Sequence, residues 1–226
     1  MIGYYDYTVV LTYFSLICSV FGMTQAIDGR FRTAIACLAL SGLCDMFDGK
    51  IARKKKDRTS DQKLFGVQID SLCDVVCFGA FPVLICFLLG MKGVLGYLVI
   101  AYYSVCSVIR LAFFNVLETN RQRVENCPNT YYHGLPITSI TIILPLVFLL
   151  NFVMPEWAFK WVLLVTLLIV GTLFIINFKL KKPSNKMLCV FVIVVACAVV
   201  VILLFSRYHI SRTPLHENPL IEKLLN

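Results

Sequence analysis

Apolar residues run along this chain in long blocks, separated by shorter polar stretches. A membrane-crossing helix needs about 20 mostly apolar residues. The blocks predict seven such spans, at 7–27, 31–52, 65–89, 93–117, 135–154, 157–178 and 186–206. The second turns polar in its last part and the third contains two aspartates. No internal repeat and no low-complexity tract interrupts the pattern. It predicts an all-α fold, a polytopic membrane helix bundle of about seven transmembrane helices. Residues 1–206 form a single membrane-embedded domain in this reading, and 207–226 a C-terminal tail. The start, MIGYYDY, has no basic segment, and no A-x-A-like cleavage site follows the first apolar block. That block is expected to stay as an anchor.

Composition sharpens this picture. Of 226 residues, 59% are hydrophobic and 15% charged, against roughly 25% charged in an ordinary soluble domain. The mean hydropathy is +0.81, more apolar surface than a soluble domain of this length can hide. A soluble enzyme, a disordered chain and a DNA-binding domain are all excluded as readings. The net charge of +8 does not imply a nucleic-acid partner, because membrane proteins gather Lys and Arg in cytoplasmic loops. With the N-terminus and the 50–64, 118–133 and 179–186 loops on one side, that side carries 13 cations: Lys50, Arg53, Lys54, Lys55, Lys56, Arg58, Lys63, Arg121, Arg123, Lys179, Lys181, Lys182 and Lys186. The other side carries 7: Arg30, Arg32, Lys92, Lys160, Arg207, Arg212 and Lys223. The first side is therefore expected to be cytoplasmic, with the chain in the cell membrane. Trp157 and Trp161 mark a membrane interface. Nine of the 10 cysteines lie in apolar runs, only Cys127 lies in a polar loop, and no CxxC pair is present. They read as small thiols in lipid-embedded helices, not as disulfides or zinc ligands.

Ionisable groups inside a membrane are costly and usually functional. Asp45 and Asp48 stand at i, i+3 near the end of the second span, and Asp70 and Asp74 at i, i+4 in the third. Each pair shares one helix face. The spans are joined by a short loop, so they are expected to be antiparallel neighbours with all four carboxylates converging at their cytoplasmic ends. Such a cluster needs protonation or bound cations, and hard divalent ions such as Mg²⁺ or Mn²⁺ take oxygen ligands. Two of them would neutralise four charges and form a clamp for phosphoryl chemistry. The competing reading pairs the aspartates with Lys50, Arg53 and Lys54–Lys56 as a solvated interface. Gly49 and Gly66 let a bulky ligand approach the backbone, and Arg53 is placed to grip a diphosphate. Arg110 is the remaining charge inside a span; it either grips an acceptor carboxylate or a phosphate, or serves as a snorkelling or buried structural group.

Together these residues read Asp45-x-x-Asp48-Gly49-x-x-Ala52-Arg53, a 12-residue spacer, then Gly66-x-x-x-Asp70-x-x-x-Asp74. This resembles the signature of the CDP-alcohol phosphatidyltransferases, in which the spacer is usually eight or nine residues. The blocks DSLCDVVCFGAFP (70–82), RLAFFNV (110–116) and YYHGLP (131–136) resemble those of the membrane-embedded phosphatidylserine synthases in that family. Phe113 departs from an Arg of that pattern and Ser15 from an Asn in the first span. The resemblance implies that Asp45, Asp48, Asp70 and Asp74 bind two divalent cations, Mg²⁺ or Mn²⁺, and that Asp74 is also the general base. It implies that Gly49, Ala52, Arg53 and Gly66 line the CDP-diacylglycerol site, with Thr59 and Ser60 as further candidates for the diphosphate. Asn115, Tyr131, Tyr132 and His133 are weaker candidates.

The implied reaction converts CDP-diacylglycerol and L-serine into phosphatidylserine and CMP. Membrane lipid and a homodimer partner are the other expected associations. The alternatives are the same chemistry on inositol phosphate, glycerol phosphate or choline, and, from a different class, an ion-coupled transporter. A transporter would more typically show an inverted repeat and broken helices at the midplane.

Overall fold

The computed structural model describes residues 3–4, 9–54, 59–123, 131–181 and 185–204. Its helices are α1 (Val10–Ile27), α2 (Phe31–Lys54), α3 (Ser60–Asp74), α4 (Phe81–Leu88), α5 (Val94–Arg123), α6 (Ile140–Leu149), α7 (Glu156–Ile175) and α8 (Asn185–Leu204). A π-helical segment, Val75–Ala80, joins α3 to α4, so that Ser60–Leu88 is one rod of 29 residues. Short 3-10 turns extend α6 into the apolar rod Ile137–Phe152. The described residues thus form seven rods, in the order that the apolar blocks predict.

Five of them are long and apolar enough to cross a membrane: Val10–Ile27, Ser60–Leu88, Val94–Thr119, Glu156–Ile175 and Met187–Leu204. They mark the chain as an integral membrane protein. α2 is long enough, at 24 residues or about 36 Å, but its last turns carry Asp45, Asp48, Lys50, Arg53 and Lys54. Two ends differ from expectation. The third rod starts at Ser60 instead of 65, because Thr59 and Gln62 form a capping box: Gln62 N donates to Thr59 Oγ1 at 3.2 Å, and Thr59 N to Gln62 Oε1 at 3.1 Å. α5 runs past 117 to Arg123, its polar extension rich in Glu, Gln and Arg, which favour helix in water. The tail 207–226 lies outside the described residues.

α1 is built for lipid. Thr12, Ser15, Ser19, Gly22 and Gln25 face inward, while Val10, Phe14, Ile17, Val20 and Phe21 are exposed. Lipid gives apolar side chains no reason to leave it, so small and polar residues make the helix contacts. Ser15 Oγ lies 2.7 Å from Ser41 Oγ, and Ser19 Oγ donates to Ser41 Oγ at 2.8 Å. These bonds tie α1 to α2. Further along, a Cβ on Gly22 would collide with Phe81 and Cys37, so this glycine admits α4 to the pair.

The core centres on Phe78, Phe81, Ile85, Tyr103, Leu144 and Phe148. α7 presents Leu163, Leu167, Val170 and Phe174 inward and packs along α5. α8 touches α2 and α6 and buries little beyond Ala198 and Ile202. The nine described cysteines are all free. Cys44, Cys73, Cys77, Cys86 and Cys106 are buried, whereas Cys189 and Cys197 are exposed on α8. Cys127 lies outside the described residues.

Pro82 explains the π-helical segment. It has no N–H and cannot bond the carbonyl of Phe78 four residues earlier. The helix widens there, and the buried Tyr103 hydroxyl donates to Phe78 O at 2.8 Å. π-Bulges recur at functional sites, and this one begins directly after Asp74.

Two short strands, β1 (Tyr131–His133) and β2 (Lys179–Lys181), pair antiparallel with His133 opposite Lys179. The pairing puts the loops after α5 and after α7 on one side, as the expected topology requires. Gly134, at φ +76°, turns the chain inward after β1. Gly134 N then donates to Phe178 O at 2.8 Å, and Leu135 N to Leu173 O at 3.1 Å.

Tyr103→Phe is expected to lower stability by about 1–3 kcal/mol, because the buried Phe78 carbonyl loses its hydroxyl partner. A clear drop in the unfolding temperature in detergent micelles would bear this out.

Candidate active site

α2 ends and α3 begins on the same side of the bundle, running in opposite directions. The i, i+3 and i, i+4 spacings turn one carboxylate pair on each helix toward the other. Asp45 lies against Asp74, and Asp48 against Asp70. Carboxylate oxygens of Asp45, Asp70 and Asp74 lie within 4.8 Å of one another. Asp48 is buried, at 6% exposure, and the other three are half-buried. Three of the four converge into one compact group, and Asp48 lies outside that group, against Asp70.

Their surroundings leave the charges open to a cation. Asp70 Oδ1 is buried with no hydrogen-bond partner, an arrangement that costs about 1–3 kcal/mol or more when nothing fills it. Among the described residues no Lys or Arg pairs with any of the four. The side chains of Lys50, Ala52, Arg53 and Lys54 lie outside the described ones, although their backbone completes α2. Lys55 and Lys56 also lie outside the described residues. Oxygen-only donors in a compact, half-buried cluster suit a hard divalent cation.

The rest of the expected site divides. Gly49 is exposed and Gly66 half-buried on the two facing helices. The long spacer is taken up mostly by helix: α3 starts six residues before Gly66, and only 55–59 connect it to α2. Thr59 is engaged as the cap of α3. Ser71, between the two aspartates of α3, donates to Asn115 Oδ1 of α5 at 2.5 Å, which brings the RLAFFNV block beside the cluster. Phe113 is exposed at 47%. The side chains of Tyr131, Tyr132 and His133 lie outside the described ones.

Arg110 is buried, at 5% exposure, and its Nε donates to Leu135 O at 2.9 Å. It therefore holds the GLP turn, which packs against α2, α5 and the π-helical segment through Ile137–Ser139. At least part of the guanidinium serves the protein itself.

Sequence reasoning missed Thr12. Its Oγ1 donates to Asp48 Oδ2 at 3.0 Å, from α1. The signal was present as hydroxyls at 12, 15 and 19, a helical stripe in an otherwise apolar span.

Comparison with known proteins agrees with this geometry. The chain matches the model of the CDP-alcohol phosphatidyltransferase family over residues 8–172. It is 25% identical over 202 residues to the CDP-diacylglycerol–serine O-phosphatidyltransferase of Mycobacterium tuberculosis, covering 85% of this chain and 69% of that one. The Saccharomyces cerevisiae protein of the same name is 33% identical over 108 residues, covering 46% of this chain and 38% of the yeast protein. The archaetidylserine synthase of Methanothermobacter thermautotrophicus is 30% identical over 118 residues, 52% of this chain and 47% of that protein. No solved structure gives a significant match. The family match takes in both aspartate pairs and the helices from α1 through most of α7 that carry and surround them, and on that ground the chain belongs to the CDP-alcohol phosphatidyltransferase family.

Proposed function

We propose that this protein transfers the phosphatidyl group of CDP-diacylglycerol to L-serine, giving phosphatidylserine and CMP. The observation that carries the reading is the compact triad of Asp45, Asp70 and Asp74, with Asp70 Oδ1 buried and unpartnered. Relatives named as serine phosphatidyltransferases, and an archaeal one named for archaetidylserine, support serine as the acceptor.

Asp45, Asp48, Asp70 and Asp74 would hold two divalent cations, Mg²⁺ or Mn²⁺. Bound there, the cations would balance the four carboxylates and stabilise charge on the diphosphate and the departing CMP. Asp74 accepts the proton of the serine hydroxyl as its oxygen bonds to the phosphorus carrying diacylglycerol and the bond to CMP breaks. A serine hydroxyl is a poor nucleophile at neutral pH, so an aligned carboxylate is required. Gly49, Ala52, Arg53 and Gly66 line the CDP end. Arg110 holds the GLP turn beside the acceptor and contributes to binding its carboxylate or a phosphate.

The site lies where aqueous head groups and lipid tails can both reach it. The excess of Lys and Arg on that side supports a cytoplasmic active site in the cell membrane, and we propose that the protein works as a homodimer.

Purified protein in micelles with CDP-diacylglycerol should release CMP only when L-serine and Mn²⁺ or Mg²⁺ are both present, and EDTA should abolish release. Asp74→Asn should reduce turnover by at least about 100-fold, in line with loss of a general base. Release with glycerol phosphate, inositol phosphate or choline but not serine would overturn the acceptor. Absence of release with every acceptor, in folded protein, would overturn the reaction. Arg110→Lys should raise the KM for serine, whereas an unchanged KM would confine Arg110 to holding the turn.

A further inference from the structure

The buried hydroxyl of Thr12 lies on α1, outside the aspartate motif and on a different helix from all four carboxylates. It donates to Asp48 Oδ2 at 3.0 Å. Thr12 is itself buried, at 5% exposure, and so is Asp48. The same carboxylate also lies against Asp70 of α3. Below this contact, Ser15 and Ser19 bond Ser41 of α2. These bonds join α1 to α2 away from Asp48 and leave the Thr12 contact to stand on its own hydroxyl.

We propose that Thr12 is a positioning residue for divalent-cation binding: its hydroxyl orients the Asp48 carboxylate so that one oxygen is presented to the cluster. The inference rests on the cation-binding reading of the four aspartates. Groups that hydrogen-bond a ligating carboxylate tune metal affinity, and their loss typically costs about 10- to 100-fold. A hydroxyl supplies this orientation without adding charge, where a Lys or Arg would compete with the cation for the same oxygens.

The test is direct Mn²⁺ binding to purified full-length protein in micelles, measured by the loss of the free-Mn²⁺ electron paramagnetic resonance signal. Thr12→Val keeps the shape and removes the hydroxyl, Thr12→Ser keeps the hydroxyl, and Ser19→Ala removes a hydroxyl from the same face of α1 without touching Asp48. Thr12→Val should weaken Mn²⁺ binding about 10- to 100-fold, with Thr12→Ser restoring it to within about threefold of the unmodified protein and Ser19→Ala leaving it unchanged. Equal weakening in Ser19→Ala would make the effect one of helix packing and overturn the proposal, as would unchanged binding in Thr12→Val. Should Thr12→Val fail to fold, Thr12→Ala with its own Thr12→Ser comparison gives the same readout. Absence of Mn²⁺ binding in the unmodified protein would instead overturn the cation reading of the aspartates, on which this inference rests.

Discussion

Four carboxylates gathered at low dielectric set the terms for the rest of this structure. Like charges a few ångströms apart repel strongly where water is scarce, so the cluster needs either shared protons or a compensating cation. The described residues offer no Lys or Arg for that purpose. They offer one hydroxyl, from Thr12, and leave Asp70 Oδ1 bare. The surrounding helices hold the acidic groups together in spite of their repulsion. That is the property expected of a site whose missing charge arrives with its ligands, and the proposed phosphatidyl transfer brings a diphosphate and its counter-cations to the same place.

The helices around the cluster answer this demand by different means. α1 uses a stripe of hydroxyls and a glycine to pack against α2 and α4, since lipid gives it no hydrophobic drive to do so. α3 and α4 pass through a π-helical segment immediately after Asp74. This changes the rotation between the acidic face and the apolar face that packs into the core. Pro82 opens the Phe78 carbonyl, and Tyr103 closes it from α5. The same α5 carries Asn115 against Ser71 and Arg110 against the GLP turn. One helix therefore steadies both the acidic rod and the loop beside it.

The strand pair between residues 131–133 and 179–181 completes the arrangement. It zips together two loops distant in sequence at the polar end of the bundle. Backbone bonds from Gly134 and Leu135 to Phe178 and Leu173 continue the zip into the membrane region. Irregular backbone at this depth is tolerated because its polar groups find protein partners.

Much of this was legible in the sequence. Seven apolar blocks gave seven rods, because a span needs a certain length of apolar chain whatever it packs against. Asp45, Asp48, Asp70 and Asp74 declared themselves because helix periodicity alone fixes which residues share a face. Other features depend on contacts between residues far apart in the chain. The apolar blocks do not show that most of the 12-residue spacer is helix; its one local sign is the Thr59-x-x-Gln62 capping pattern. Arg110 read either as a ligand contact or as a buried structural group, and its Nε bonds the Leu135 carbonyl, 25 residues away. Thr12 reads as one more small residue in an apolar span until α1 is laid on α2 and its hydroxyl meets Asp48. Local periodicity determined the elements and the acidic faces. Only the packing of those elements decided which carboxylate oxygen is held, which is left bare and what steadies the turn beside them, because a hydrogen bond across helices depends on register and rotation that no single segment encodes.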